Sequence, residues 1–185
     1  MPASAHTGEK GTGEVSRRKF VPSLRSILYA LAFFLAFALT VTELGLVSQQ
    51  LHKYGNQYTN YASMEYKNAL GLLLAAVIMS LLFTLFHFQL GPGQAAFIAF
   101  ILAVFFGTGA GVVFQTTPFK GTSCGRPASA YPEKWQPYAH ECSKIVSIQA
   151  VAWTLWGLYI FIMIGSLMYK LGIRIKPTPG GFYSV

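Results

Sequence analysis

In the stretch ALTVTELGLV, residues 38–47, Glu43 interrupts an otherwise uncharged apolar run. A carboxylate inside a membrane span by default marks an ion path or a substrate site, so its depth decides what it can do. If the run is a helix ending near Val47, Glu43 stands roughly 6 Å, about one turn, from that end. From there a side chain reaches headgroup water. The expected role is therefore an interfacial carboxylate, in water or bonded to a neighbouring helix, with a proton or cation site as the alternative.

Two thiols, Cys124 and Cys142, bound the stretch CGRPASAYPEKWQPYAHEC. Thiols on an oxidising face pair, and closing this loop would remove about 3 kcal/mol of unfolded-chain entropy. A fixed shape would follow for a Pro-rich segment expected to have no core of its own. Trp135 and Tyr138 would bury against that loop or rest at a membrane surface. His140, Glu141 and Cys142 are consecutive, a spacing that suits a tetrahedral metal poorly, so no metal is expected. All six acids are Glu and none is Asp, while the four His are scattered. With no Gly-rich phosphate loop, CxxC or HExxH, neither a catalytic constellation nor a cofactor is expected, and the chain reads as no enzyme.

These groups have to be positioned by apolar elements. The chain is 53% hydrophobic and 11% charged, against roughly 25% charged in soluble domains, and this is the composition of a membrane protein. Four apolar runs, about 26–47, 69–88, 95–114 and 145–169, each reach the roughly 20 residues that cross a bilayer as helix. They are too long and continuous for barrel strands, which alternate. The turn HFQLGPGQ between the second and third runs makes those two antiparallel. The expectation is an all-α antiparallel four-helix transmembrane bundle over residues 24–170. A basic tail, 1–23, and a short tail, 171–185, flank it. The first twenty residues lack the apolar core of a signal peptide, and neither end carries a lipidation pattern.

Eight of the fourteen Lys and Arg lie before the first run or after the last. By the positive-inside rule both termini are cytoplasmic and both long loops outside, which puts the two cysteines on the oxidising side as a pair. Arg17, Arg18, Lys19, Arg25, Lys170, Arg174 and Lys176 form a basic collar suited to anionic headgroups, at about 1 kcal/mol for each residue near the surface. A basic tail on a polytopic protein meets its own membrane first, so nucleic acid is not an expected partner.

Small residues recur every four positions in the third run, at Ala95, Ala99, Ala103, Gly107 and Gly111. In lipid such a ridge lets backbones approach closely. Packing within the same bundle is favoured over a self-association face, and Gly71 with Ala75 and Ala32 with Ala36 read the same way. Leu51, Tyr54, Tyr58 and Tyr61 fall at helical spacing, as an interfacial extension of the first helix would place them, ahead of a sugar- or partner-binding stripe. Trp153, Trp156 and Tyr159 are expected to fill the bundle. Thr40, Thr42, Ser80, Thr84, Thr108, Ser147, Gln149 and Thr154 are expected to hydrogen-bond between helices, and His87 to be interfacial.

Four spans with both termini inside, the tight connection HFQLGPGQ, the Gly-rich FFGTGAGVVF and the C…C loop leading into SIQAVAWTLWGLYIFIMIGSL together resemble the MARVEL-domain family, in particular its fungal-type plasma-membrane members. The resemblance covers roughly Leu24 to Lys170. The vertebrate physins differ in carrying cysteines in the first outer loop, and the claudin and tetraspanin motifs are absent. What the resemblance implies is membrane apposition, lateral organisation of sterol-rich plasma-membrane domains or vesicle traffic, without catalysis. The expected partners are membrane lipids, sterol and anionic lipids among them, further copies of the chain, or a larger membrane protein. The alternative function is a small transporter or channel using Glu43.

Overall fold

In a computed structural model the chain is described over residues 24–170, with side chains described for 27–168. Among the described residues the α-helices are four, α1 (Leu24–Tyr54), α2 (Met64–Phe86), α3 (Pro92–Thr116) and α4 (Cys142–Lys170), joined by segments that carry 3-10 turns. Each carries a segment long and apolar enough to cross a membrane. The helix ends follow local chemistry. α1 stops at Gly55, whose φ of 68° is the left-handed conformation that glycine adopts without penalty; its N–H caps the carbonyl of Leu51 at 2.9 Å. At the start of α2 the Ser63 hydroxyl accepts from the Tyr66 N–H at 3.1 Å, an N-cap. Pro92 opens α3, where its missing N–H costs nothing, and the Gln94 side chain accepts from the Gly91 N–H.

The helices alternate in direction and close into a ring in which α1 and α3 each pack on both α2 and α4. Leu24 and Lys170 therefore lie at one end, the termini end. The 55–63 connection and the long 117–141 connection lie at the other, the loop end. The core is narrow: Ala32, Ala36 and Val47 of α1, Leu70, Leu73 and Ala76 of α2, Ala99, Leu102 and Phe106 of α3, and Ile148, Leu155 and Tyr159 of α4 are buried. Outside them the helices present Phe34, Ile78, Leu82, Phe97, Phe161 and other large apolar side chains, as expected where the surrounding medium is itself apolar.

Several expectations change. α1 runs seven residues past Val47, because Gln50 and Lys53 find a partner at the loop end. The aromatic row breaks at Gly55: Tyr61 is buried, while Tyr58, in a separate 3-10 turn, is 65% exposed. Trp153 and Trp156 do not fill the bundle but stand on its outside, 39% and 40% exposed, and Tyr159 alone of the three points inward. Gly71 and Ala75 lie on the outer face of α2, whereas Ala32 and Ala36 are buried. Thr42, Thr84, Ser147 and Thr154 donate to carbonyls of their own helices.

Of the basic collar, Arg17, Arg18, Lys19, Arg174 and Lys176 lie outside the described residues. Arg25 and Lys170 sit in the terminal turns of α1 and α4.

Candidate functional site

Cys124 and Cys142 are joined by a disulfide with a Cα–Cα distance of 5.6 Å, which ties the long connection to the first turn of α4. That connection does have a core. Phe119, Tyr131 and Trp135 are buried, with the Phe119 ring edge-on to Tyr131 at 4.9 Å and to Trp135 at 5.5 Å. Trp135 continues to Tyr66 of α2 at 5.7 Å, and Tyr138 meets Tyr54 of α1 at 5.3 Å. Tyr131, Trp135 and Tyr138 do recur at steps of four and three, but Pro132 and Pro137 interrupt a helical pattern. Their partners Tyr54 and Tyr66 lie far away in sequence, so the cluster shows only once the segment is folded over the bundle. Burial, with the hydroxyls of Tyr138 and Tyr54 nearby, pushes the Tyr61 hydroxyl up from its ordinary pKa.

Beneath this aromatic cap sit two buried glutamates with opposite surroundings. Glu141, 2% exposed, pairs with Lys53 and, at 3.2 Å, with Lys144, and it accepts from Gln50 Nε2 at 3.2 Å. His140 Nε2 lies 3.3 Å away. Sequence reading missed this cluster because Lys53 and Glu141 are 88 residues apart and neither sits in a motif.

Glu43 is fully buried, and neither carboxylate oxygen has a hydrogen-bond partner among the described residues. The expected interfacial placement is thus corrected. With α1 extended to Tyr54, Glu43 stands eleven residues from the helix end, about 16 Å rather than one turn. It also faces the interior, because Ala36, Thr40, Glu43, Val47 and Gln50 recur at steps of three and four and share the buried stripe. One turn toward the termini end, Thr40 Oγ1 and Ser80 Oγ are 2.6 Å apart, and Ser80 bonds the Tyr159 hydroxyl. This link joins α1, α2 and α4.

The small-residue row of α3 divides. Ala95, Ala99 and Ala103 are buried. A side chain at Gly107 would meet the Trp156 ring at 2.7 Å, and one at Gly111 would meet nothing within 4 Å. Steps of four on a helix of 3.6 residues per turn rotate by about 40° each, so the row leaves the core, which continues through Phe106, Ala110 and Val113. Gly109, outside the row, is the tight contact: a Cβ there would stand 2.6 Å from Leu73 Cδ2. His87 stacks on Phe33 with centroids 4.0 Å apart at the termini end.

No protein-family model matches the chain, and neither a curated protein nor a solved structure matches it.

Proposed function

We propose that this chain is a non-enzymatic multi-pass membrane protein of MARVEL type. It would act by lateral association, organising a plasma-membrane or vesicle-membrane domain or serving as a subunit beside a larger membrane protein, with its basic termini on anionic cytoplasmic lipid. The observation that carries this reading is the set of small residues turned away from the bundle. Gly71 and Ala75 are exposed on α2, and a methyl group added at Gly45, Gly71, Gly111 or Gly157 would meet nothing within 4 Å. In lipid, flat places on an otherwise bulky surface are where helices from another molecule approach.

The test is crosslinking in native membranes of Gly71→Ile combined with Ala75→Ile. Loss of crosslinked species with retained insertion and an intact disulfide is the expected result, and unchanged crosslinking would count against lateral association through α2. Gly107 is unsuited to this test, since a side chain there strikes Trp156 within the same bundle.

A small transporter or channel is the second reading, favoured by the buried and unpartnered Glu43 carboxylate. A conducting path would have to pass the Thr40–Ser80–Tyr159 link, where Tyr159 also stacks on Phe106 at 5.8 Å.

A further inference from the structure

Among the described residues, six buried side-chain atoms have no hydrogen-bond partner; Ser166 Oγ lies on the termini side of the Thr40–Ser80–Tyr159 link and the other five on its loop side. Those five are both oxygens of Glu43, Gln50 Oε1 and the hydroxyls of Tyr54 and Tyr66. Glu43, Gln50 and Tyr54 share the inward stripe of α1, spaced by seven and four residues, or about 10 Å and 6 Å along the axis. Tyr66 enters from α2 within electrostatic range of Glu43, Tyr54 and Glu141. Buried polar atoms are normally hydrogen-bonded, and a run of them with no protein partner suits bridging water, which needs two to four polar neighbours at each site.

No charged group pairs with Glu43 among the described residues. The titratable groups of the bundle between it and the loop end include Lys53 and Tyr54 on α1, Tyr66 on α2, and Glu141 and Lys144 at the start of α4, with Tyr159 on its other side, and α3 carries none. Lys53 and Lys144 both engage Glu141, and Tyr159 engages Ser80. A charged carboxylate without a counter-ion in a low-dielectric interior costs several kcal/mol, so the group is stable there when it carries a proton. Toward the termini end, Phe106 and Phe83 pack on Tyr159 at 5.8 and 6.1 Å, and Phe33 packs on Phe83 at 5.5 Å.

We propose that Glu43 is a proton-binding site inside the bundle, exchanging with the loop end through Gln50, Tyr54 and Tyr66 and closed toward the termini end by the Thr40–Ser80–Tyr159 link. Uptake forms one O–H bond on a Glu43 oxygen and breaks one in a hydronium at the loop end, leaving water; release runs in reverse. The site goes beyond lateral association and requires no flux across the bundle.

The test uses the full chain in lipid vesicles and the apolar reagent dicyclohexylcarbodiimide, which takes the proton of a buried carboxyl group and is then attacked by its oxygen, with adducts mapped by peptide mass. The orientation of the chain is fixed by protease access to the loop at Lys134. A Glu43 adduct is expected in mildly acidic buffer, falling by about tenfold for each unit of pH beyond the midpoint and following the pH on the loop side alone. Tyr66→Phe should slow the response to a pH jump without removing the adduct, and Glu43→Gln should remove it.

No adduct at Glu43 in the wild-type chain at any pH overturns the proposal without recourse to a variant. Labelling that follows the pH on the termini side overturns the stated route. Protection by sodium at constant pH overturns it in favour of a cation site.

Discussion

Two carboxylates at nearly the same burial show how little the residue type alone decides. Glu141 is surrounded by donors and acts as a structural anion, while Glu43 has none. Removing the first should therefore behave as the loss of a clamp. Glu141→Ala leaves Gln50, Lys53 and Lys144 without their shared acceptor, and a buried charge network broken on one side is destabilising. The expected outcome is a lower unfolding midpoint and faster proteolysis in the 131–141 segment, with the helical content of the membrane part kept. Because Lys53 and Lys144 are both more than 40% exposed, salt should also weaken the clamp in the wild type. Circular dichroism and limited proteolysis at two ionic strengths read both effects.

Elements explain why the same residue type matters at one place on α3 and not at another. Gly109 faces Leu73 with no room for a methyl group, whereas Gly111, two residues on, has open space. Gly109→Ala should destabilise by about 1–3 kcal/mol through overpacking. Gly111→Ala should range from neutral to stabilising by up to about 1 kcal/mol, since the added methyl meets nothing and alanine is the better helix former. Unfolding of the two variants in the same detergent measures the difference, and equal effects would mean that the α2–α3 approach is looser than these distances require. The element scale also accounts for the tryptophans: Trp156 covers Gly107 from outside, so the pair closes the α3–α4 seam at its edge.

At the scale of the whole molecule the bundle is asymmetric from end to end. The termini end is joined by the short 87–91 turn, and the loop end carries a covalent tie, an aromatic cap and the Glu141 cluster. Replacing both Cys124 and Cys142 by Ser should lower stability by about 3 kcal/mol. It should also loosen the packing of Phe119 and Trp135, read by tryptophan fluorescence in lipid and by the unfolding midpoint. If the aromatic cap holds without the disulfide, the fluorescence will stay unchanged while the midpoint alone falls.

The four-helix architecture was legible in sequence because span length and apolar content act locally: a segment of sufficient length with few charges can satisfy its backbone only as helix in a membrane. The Gly55 stop, the Pro92 start and the pairing of Cys124 with Cys142 were open to the same kind of reading. Only the tertiary structure decided which way each side chain faces. Four spans that are apolar on every side show no amphipathic stripe, since lipid and core have the same polarity, so Gly71, Trp153 and Trp156 turned out to face outward where their types suggested the interior. That Glu43 lies inside the bundle was decided by the packing of α1 on its neighbours, and the use of the polar turns before Gly55 by a lysine and a glutamate 88 residues apart, contacts that no local pattern records.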